Sequence, residues 1–157
     1  MGDTLRLAKA LALLVPAALL AGAYGSQYWG GLAPCEMCYW QRWAHWSGLA
    51  FAAAALLAGR LPDRGRSFVW LAAMGIAASG TIGVYHAGVE LDYFEGFTQC
   101  TAVAGATLAE IMAAPVIRCD EVQWSLLGIS MAGWNAILSL GSALVILWLS
   151  LKRPRTR

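Results

Sequence analysis

Cys35 and Cys38 stand in the run Pro34-Cys35-Glu36-Met37-Cys38-Tyr39-Trp40-Gln41-Arg42, and two further cysteines, Cys100 and Cys119, follow later in the chain. Disulfide exchange begins with attack by a thiolate, and a cysteine at a helix N-terminus with an arginine one turn on sits in a field that favours this anion. A hydrophobic run follows the CxxC directly, so that field is available here. Two alternatives compete: a pair of structural bridges, or a four-ligand zinc site. A bridge within CxxC closes so short a loop that it removes little unfolded-state entropy. Cys100 and Cys119 do not form the second tight pair that a zinc tetrahedron favours, and no metal is expected. Redox exchange is the preferred reading.

Other side chains could serve such a centre. Arg42 follows Cys38 by four residues, one helical turn, and shares its face; the competing role is an arginine that snorkels to the membrane surface. Gln41 is next to it in sequence but on another face. His86 and Glu90 are also four apart, and that imidazole could donate a hydrogen bond or shuttle a proton, or simply bond to Glu90. His45 aligns with Cys38 and Arg42 about two turns into the helix and is read as a packing or hydrogen-bonding histidine.

The elements that position these groups are apolar. Of 157 residues, 59% are hydrophobic and only 13% charged, and the mean hydropathy is +0.58, which excludes a water-soluble domain. A span needs about 20 apolar residues. Four segments qualify, about 8–28, 39–59, 68–89 and 126–149, with Pro16 kinking the first. The expected fold is an all-α integral membrane protein: one domain over 1–157, built as a four-helix transmembrane bundle. Arg6 and Lys9, then Arg60, Arg64 and Arg66, then Lys152, Arg153, Arg155 and Arg157 mark the cytoplasmic side and both termini. Glu36 lies in one outer loop, about 29–38. Glu90, Asp92, Glu95, Glu110, Asp120 and Glu121 lie in the other, about 90–125, against Arg118 alone. All four cysteines therefore face outward. Reading Leu11 to Ala23 as a cleaved signal peptide is outweighed by an apolar stretch that runs on to Trp29. A net charge of +2 gives no reason to expect a nucleic-acid partner. Gly75, Ser79, Gly83 and Ala87 form a row of small residues for close helix packing, the tryptophans suit interface belts, and residues 101–114 are expected to form a short surface helix.

Three stretches, CEMCYWQR, YHAGVE (Tyr85 to Glu90) and Cys119 with the following VQWSLLGISMAGWN, resemble the disulfide bond formation protein B (DsbB) family over nearly the whole chain. The resemblance implies a bacterial inner-membrane enzyme that reoxidises a periplasmic thioredoxin-fold dithiol protein of the DsbA type and passes the electrons to the membrane quinone pool, ubiquinone or menaquinone. It implies that Cys100 takes the mixed disulfide, that Cys119 is released to attack Cys35, and that Cys38 is left as the thiolate facing the quinone. Arg42, Gln41, His86 and Glu90 would surround that quinone. A DsbA-type partner is itself a strong oxidant, near about −120 mV, so a quinone is needed to make the reaction run downhill. The alternatives are a DsbI-like oxidase dedicated to one client and a non-catalytic tetraspan scaffold with structural or zinc-binding cysteines. The stretch between Cys100 and Cys119 is short for the family, which bears on partner docking and leaves the cysteine roles intact.

Overall fold

Helix formation along this chain follows its apolar runs, and the breaks follow glycine and capping residues. The computed structural model describes residues 3–96 and 118–152. Four long helices make up most of it: α1 (Asp3–Tyr28), α2 (Glu36–Leu57), α3 (Arg66–Glu90) and α4 (Met131–Leu151), with a short 3-10 turn at Ala58–Arg60. Cys100, residues 101–114 and the basic residues Arg153, Arg155 and Arg157 lie outside the described residues.

Helix α1 continues through Pro16, whose side chain is fully buried. Between α2 and α3 the chain turns on Gly65, at φ +79°, where a Cβ would lie 2.6 Å from the Ala55 carbonyl oxygen. Asp63 accepts hydrogen bonds from the Gly65 and Ser67 amides, both at 2.9 Å, and tethers the first turn of α3. Those amides hold its carboxyl down to about 2. The apolar run that begins near 126 enters its helix only at Met131, because Leu127 and Gly128 both take positive φ. They form the two-residue turn of a minute hairpin, β1 (Ser125–Leu126) on β2 (Ile129–Ser130). Ser130 then caps α4 by accepting from the Gly133 amide at 3.1 Å.

Helices α1, α3 and α4 are long and apolar enough to cross a membrane. Helix α2 has comparable length, but Glu36, Gln41, Arg42 and His45 crowd its first half. The bundle is turned inside out relative to a water-soluble one. Its core is mostly small, with Ala8, Ala12, Ala52, Ala55, Ala72, Ala73 and Ala143 around Val69, Ile76 and Ile146. Its outside carries Leu14, Trp43, Leu57, Met74, Leu144 and Trp148. So broad an apolar exterior suits lipid. The small-residue row of α3 lies at its contacts with α2 and α4: a Cβ on Gly75 would sit 2.9 Å from the Gly48 nitrogen, and one on Gly83 would sit 3.0 Å from the Ala132 oxygen. Helix α3 packs extensively on both neighbours, and α1 closes the remaining side against α2 and α4.

Candidate functional site

The loop before α2 delivers Cys35 as the helix N-cap: its sulfur accepts from the Cys38 amide at 3.3 Å, and the Cys35 and Cys38 sulfurs are 2.8 Å apart. Cys119 comes to the same point from the far end of the second loop. The Cys35 and Cys119 sulfurs and a ring nitrogen of His86 all lie within 4.8 Å of one another. Met37, Val89, Trp40 and Tyr85 pack around them. Hydrogen bonding with Cys119, then with Cys38, and then burial push the Cys35 thiol far above the ordinary thiol range.

His86 reaches this cluster from the last turn but one of α3. Its Nε2 lies 3.5 Å from the Cys35 sulfur and 3.8 Å from Glu90 Oε1, and the ring is in hydrogen-bonding contact with the Cys119 main chain. Its Nδ1 lies 2.9 Å from Gln41 Nε2. Gln41 thus faces the cysteine cluster, where helical spacing alone turned it elsewhere. The reason is that α2 is flanked by α1 and α3 together, so two adjacent residues serve two neighbours. Arg42 takes the other direction. Its Nη1 donates to Gln27 Oε1 and its Nη2 to the Ala23 carbonyl at 3.0 Å, and the guanidinium lies 4.9 Å from the centre of the Tyr24 ring. A snorkelling arginine would be exposed, whereas Arg42 is buried.

His45 is buried one turn deeper, and its Nε2 meets Asn135 Oδ1 of α4 at 2.9 Å. Asn135 is the residue that sequence reasoning missed. It contacts Gln41 Oε1 at 2.7 Å, the Ser79 carbonyl at 3.2 Å and Ser79 Oγ at 3.1 Å through its Nδ2, and it accepts from Ser139 Oγ at 2.9 Å. The available signal was an asparagine in the first turns of an otherwise apolar span, where a polar group needs a partner. Gln27, which holds Arg42, carried no spacing signal of its own.

These groups border an open-sided cavity of about 560 Å³ lined by α1, α2, α3, α4 and the loops beside them. Ala18, Leu19, Leu20, Gly22 and Leu138 give it an apolar wall, and Cys38, Arg42, His86 and Glu90 lie on its polar side. An apolar slot bordered by thiols, a guanidinium and an imidazole can hold a flat, lipophilic ring with polar edges beside a sulfur.

Residues 5–149 match the family model described as Disulfide bond formation protein DsbB. A protein named Disulfide bond formation protein B from Hahella chejuensis (strain KCTC 2396) is 30% identical over 156 residues, covering 92% of this chain and 93% of the relative. One of the same name from Stutzerimonas stutzeri (strain A1501) is 28% identical over 152 residues, covering 91% and 93%. Disulfide bond formation protein B 2 of Pseudomonas aeruginosa PAO1 is 32% identical over 139 residues, covering 82% and 80%. No solved structure matches the chain.

Proposed function

Since the chain belongs to the DsbB family of disulfide bond formation proteins, we propose that it is a quinone-dependent thiol oxidase of the bacterial inner membrane, with four spans, both termini inside and its cysteines on the periplasmic face. The observation that carries this reading is the convergence of Cys35, Cys38, Cys119 and His86 beside an apolar cavity.

In this reading a thiolate of a DsbA-like dithiol protein attacks Cys100 of a Cys100–Cys119 disulfide, and Cys119 leaves as the thiolate. Cys119 then attacks Cys35 of a Cys35–Cys38 disulfide, and Cys38 leaves. The partner's second thiolate frees Cys100 and departs as a disulfide. Cys100 recaptures Cys119, which frees Cys35. Cys35 and Cys38 close again as two electrons and two protons pass to ubiquinone or menaquinone, giving the quinol. The donors suit such an acceptor: the cavity wall is apolar, and Arg42 and His86 border it with N–H groups. Glu90 and Gln41 set the His86 ring from either side.

The test supplies purified protein in lipid nanodiscs with a reduced thioredoxin-fold dithiol protein and a short-chain quinone. One quinone is expected to be consumed per dithiol oxidised, and Cys119→Ala is expected to trap the partner on Cys100. A partner that stays reduced while quinone absorbance holds steady refutes the proposal.

A further inference from the structure

We propose that Asn135 is a positioning residue which, through Gln41, holds the His86 ring with its Nε2 proton toward the Cys35 and Cys119 sulfurs. The inference deepens the thiol-exchange reading above and rests on it for its consequence, though not for its geometry.

Two main-chain carbonyls decide the direction of every hydrogen bond in this network. A carbonyl oxygen only accepts. The Ser79 carbonyl lies 3.2 Å from one end of the Asn135 amide, so that end is the NH2. The Met37 carbonyl lies 3.3 Å from one end of the Gln41 amide, so that end is also the NH2. Neither amide can be turned over without setting oxygen against oxygen. The second Asn135 hydrogen goes to Gln41 Oε1 at 2.7 Å, and the second Gln41 hydrogen goes to His86 Nδ1 at 2.9 Å. Nδ1 is therefore the acceptor of the His86 ring, and the neutral imidazole carries its proton on Nε2. That nitrogen is the one 3.5 Å from the Cys35 sulfur.

The other end of the network follows the same polarity. With its NH2 committed, Asn135 presents Oδ1 to Ser139 Oγ and to His45 Nε2, so His45 also carries its proton on Nε2. One amide on α4 thus sets both histidines. The consequence for the reaction lies at Cys35: when this sulfur leaves as an anion, the Nε2 proton, which the Cys119 main chain also contacts, lies within reach of it at 3.5 Å. A charge-assisted hydrogen bond of this kind stabilises the thiolate without any reorganisation of the site.

The chain has only two histidines, His45 and His86, so the full-length protein labelled with [15N]histidine in lipid nanodiscs gives two ring pairs. Both are expected to show the neutral pattern with the proton on Nε2. Asn135→Asp keeps the acceptor for His45 and Ser139 but loses the donor to Gln41. Its expected result is an unchanged His45 pair, which also reports a folded bundle, and a His86 pair moved toward the Nδ1-protonated form. Should that variant lose the His45 pattern as well, Gln41→Leu gives the second reading, with the same change at His86 alone. Turnover with dithiol partner and quinone is expected to fall about tenfold, with the KM for quinone unchanged. A native His86 protonated on Nδ1, His86 signals unmoved in both variants, or unchanged turnover beside moved signals overturns the proposal. The spectra need neither partner nor quinone, so a native protein that failed to reduce quinone would refute the thiol-oxidase reading and leave the tautomer result standing.

Discussion

Cys35, Cys119 and His86 form a ready-made set of soft ligands, with Cys38 a further sulfur 2.8 Å from Cys35. Zinc binding by the fully reduced protein would need the lone pair of His86 Nε2, and the ring proton would have to move to Nδ1. Metal-bound histidines almost always donate that second N–H to an acceptor. Here Nδ1 meets a donor, Gln41 Nε2, at 2.9 Å. Gln41→Glu replaces the donor with a carboxylate, at the cost of the 3.3 Å bond to the Met37 carbonyl and of an oxygen set against that carbonyl, from which the side chain must shift. Partners of this kind are worth about 10–100-fold in metal affinity, so the reduced variant is expected to bind zinc tighter than the native reduced protein by about that factor. The assay is competition with a chromophoric chelator under strictly reducing conditions, with cobalt spectra reporting sulfur and nitrogen ligation. Equal affinity in the two proteins, or a native protein already holding zinc through His86, refutes the reasoning about polarity at this ring.

Arg42→Ala is expected to raise the KM for quinone about tenfold, equivalent to about 1.4 kcal/mol, while Cys100 still captures the dithiol partner; steady-state kinetics across quinone concentrations check it. Gly75→Ala forces a methyl to 2.9 Å from the Gly48 nitrogen and 3.0 Å from the Gly48 Cα. Because backbone cannot move aside as a flexible side chain can, a loss of about 1–3 kcal/mol is expected, measured by reversible unfolding in mixed micelles.

The Cys35–Cys38 pair was legible in the sequence, because CxxC before an apolar run is a local feature that a helix converts directly into geometry, whereas the approach of Cys119 and His86 to it is a contact between elements. The His86–Glu90 pair was legible for the same reason, being one turn of a single helix. Gln41 was not, since its orientation depends on α2 having α3 on one side and α1 on the other, and no spacing within α2 carries that information. Asn135 and Gln27 became visible only once α4 and α1 were placed. Arg42 was singled out by its spacing from Cys38, but its partners on α1, 15 and 19 residues upstream, were not legible. The late start of α4 was concealed by an apolar composition that strand and helix share over residues 126–131, and it took the positive φ of Leu127 and Gly128 to break the run.

The seam between α1 and α2 is held near both ends by cations. Lys9 Nζ donates to the Ala55 carbonyl near the start of α1, and Arg42 grips Gln27 and Ala23 near its end. The opposite seam, between α1 and α4, is bridged by a loose Ser26 Oγ to Met131 Sδ contact at 3.9 Å. Both helices that border it also line the cavity. On the quinone-linked reading proposed above, the expected sideways way in from the bilayer to the thiols is the seam at Ser26 and Met131.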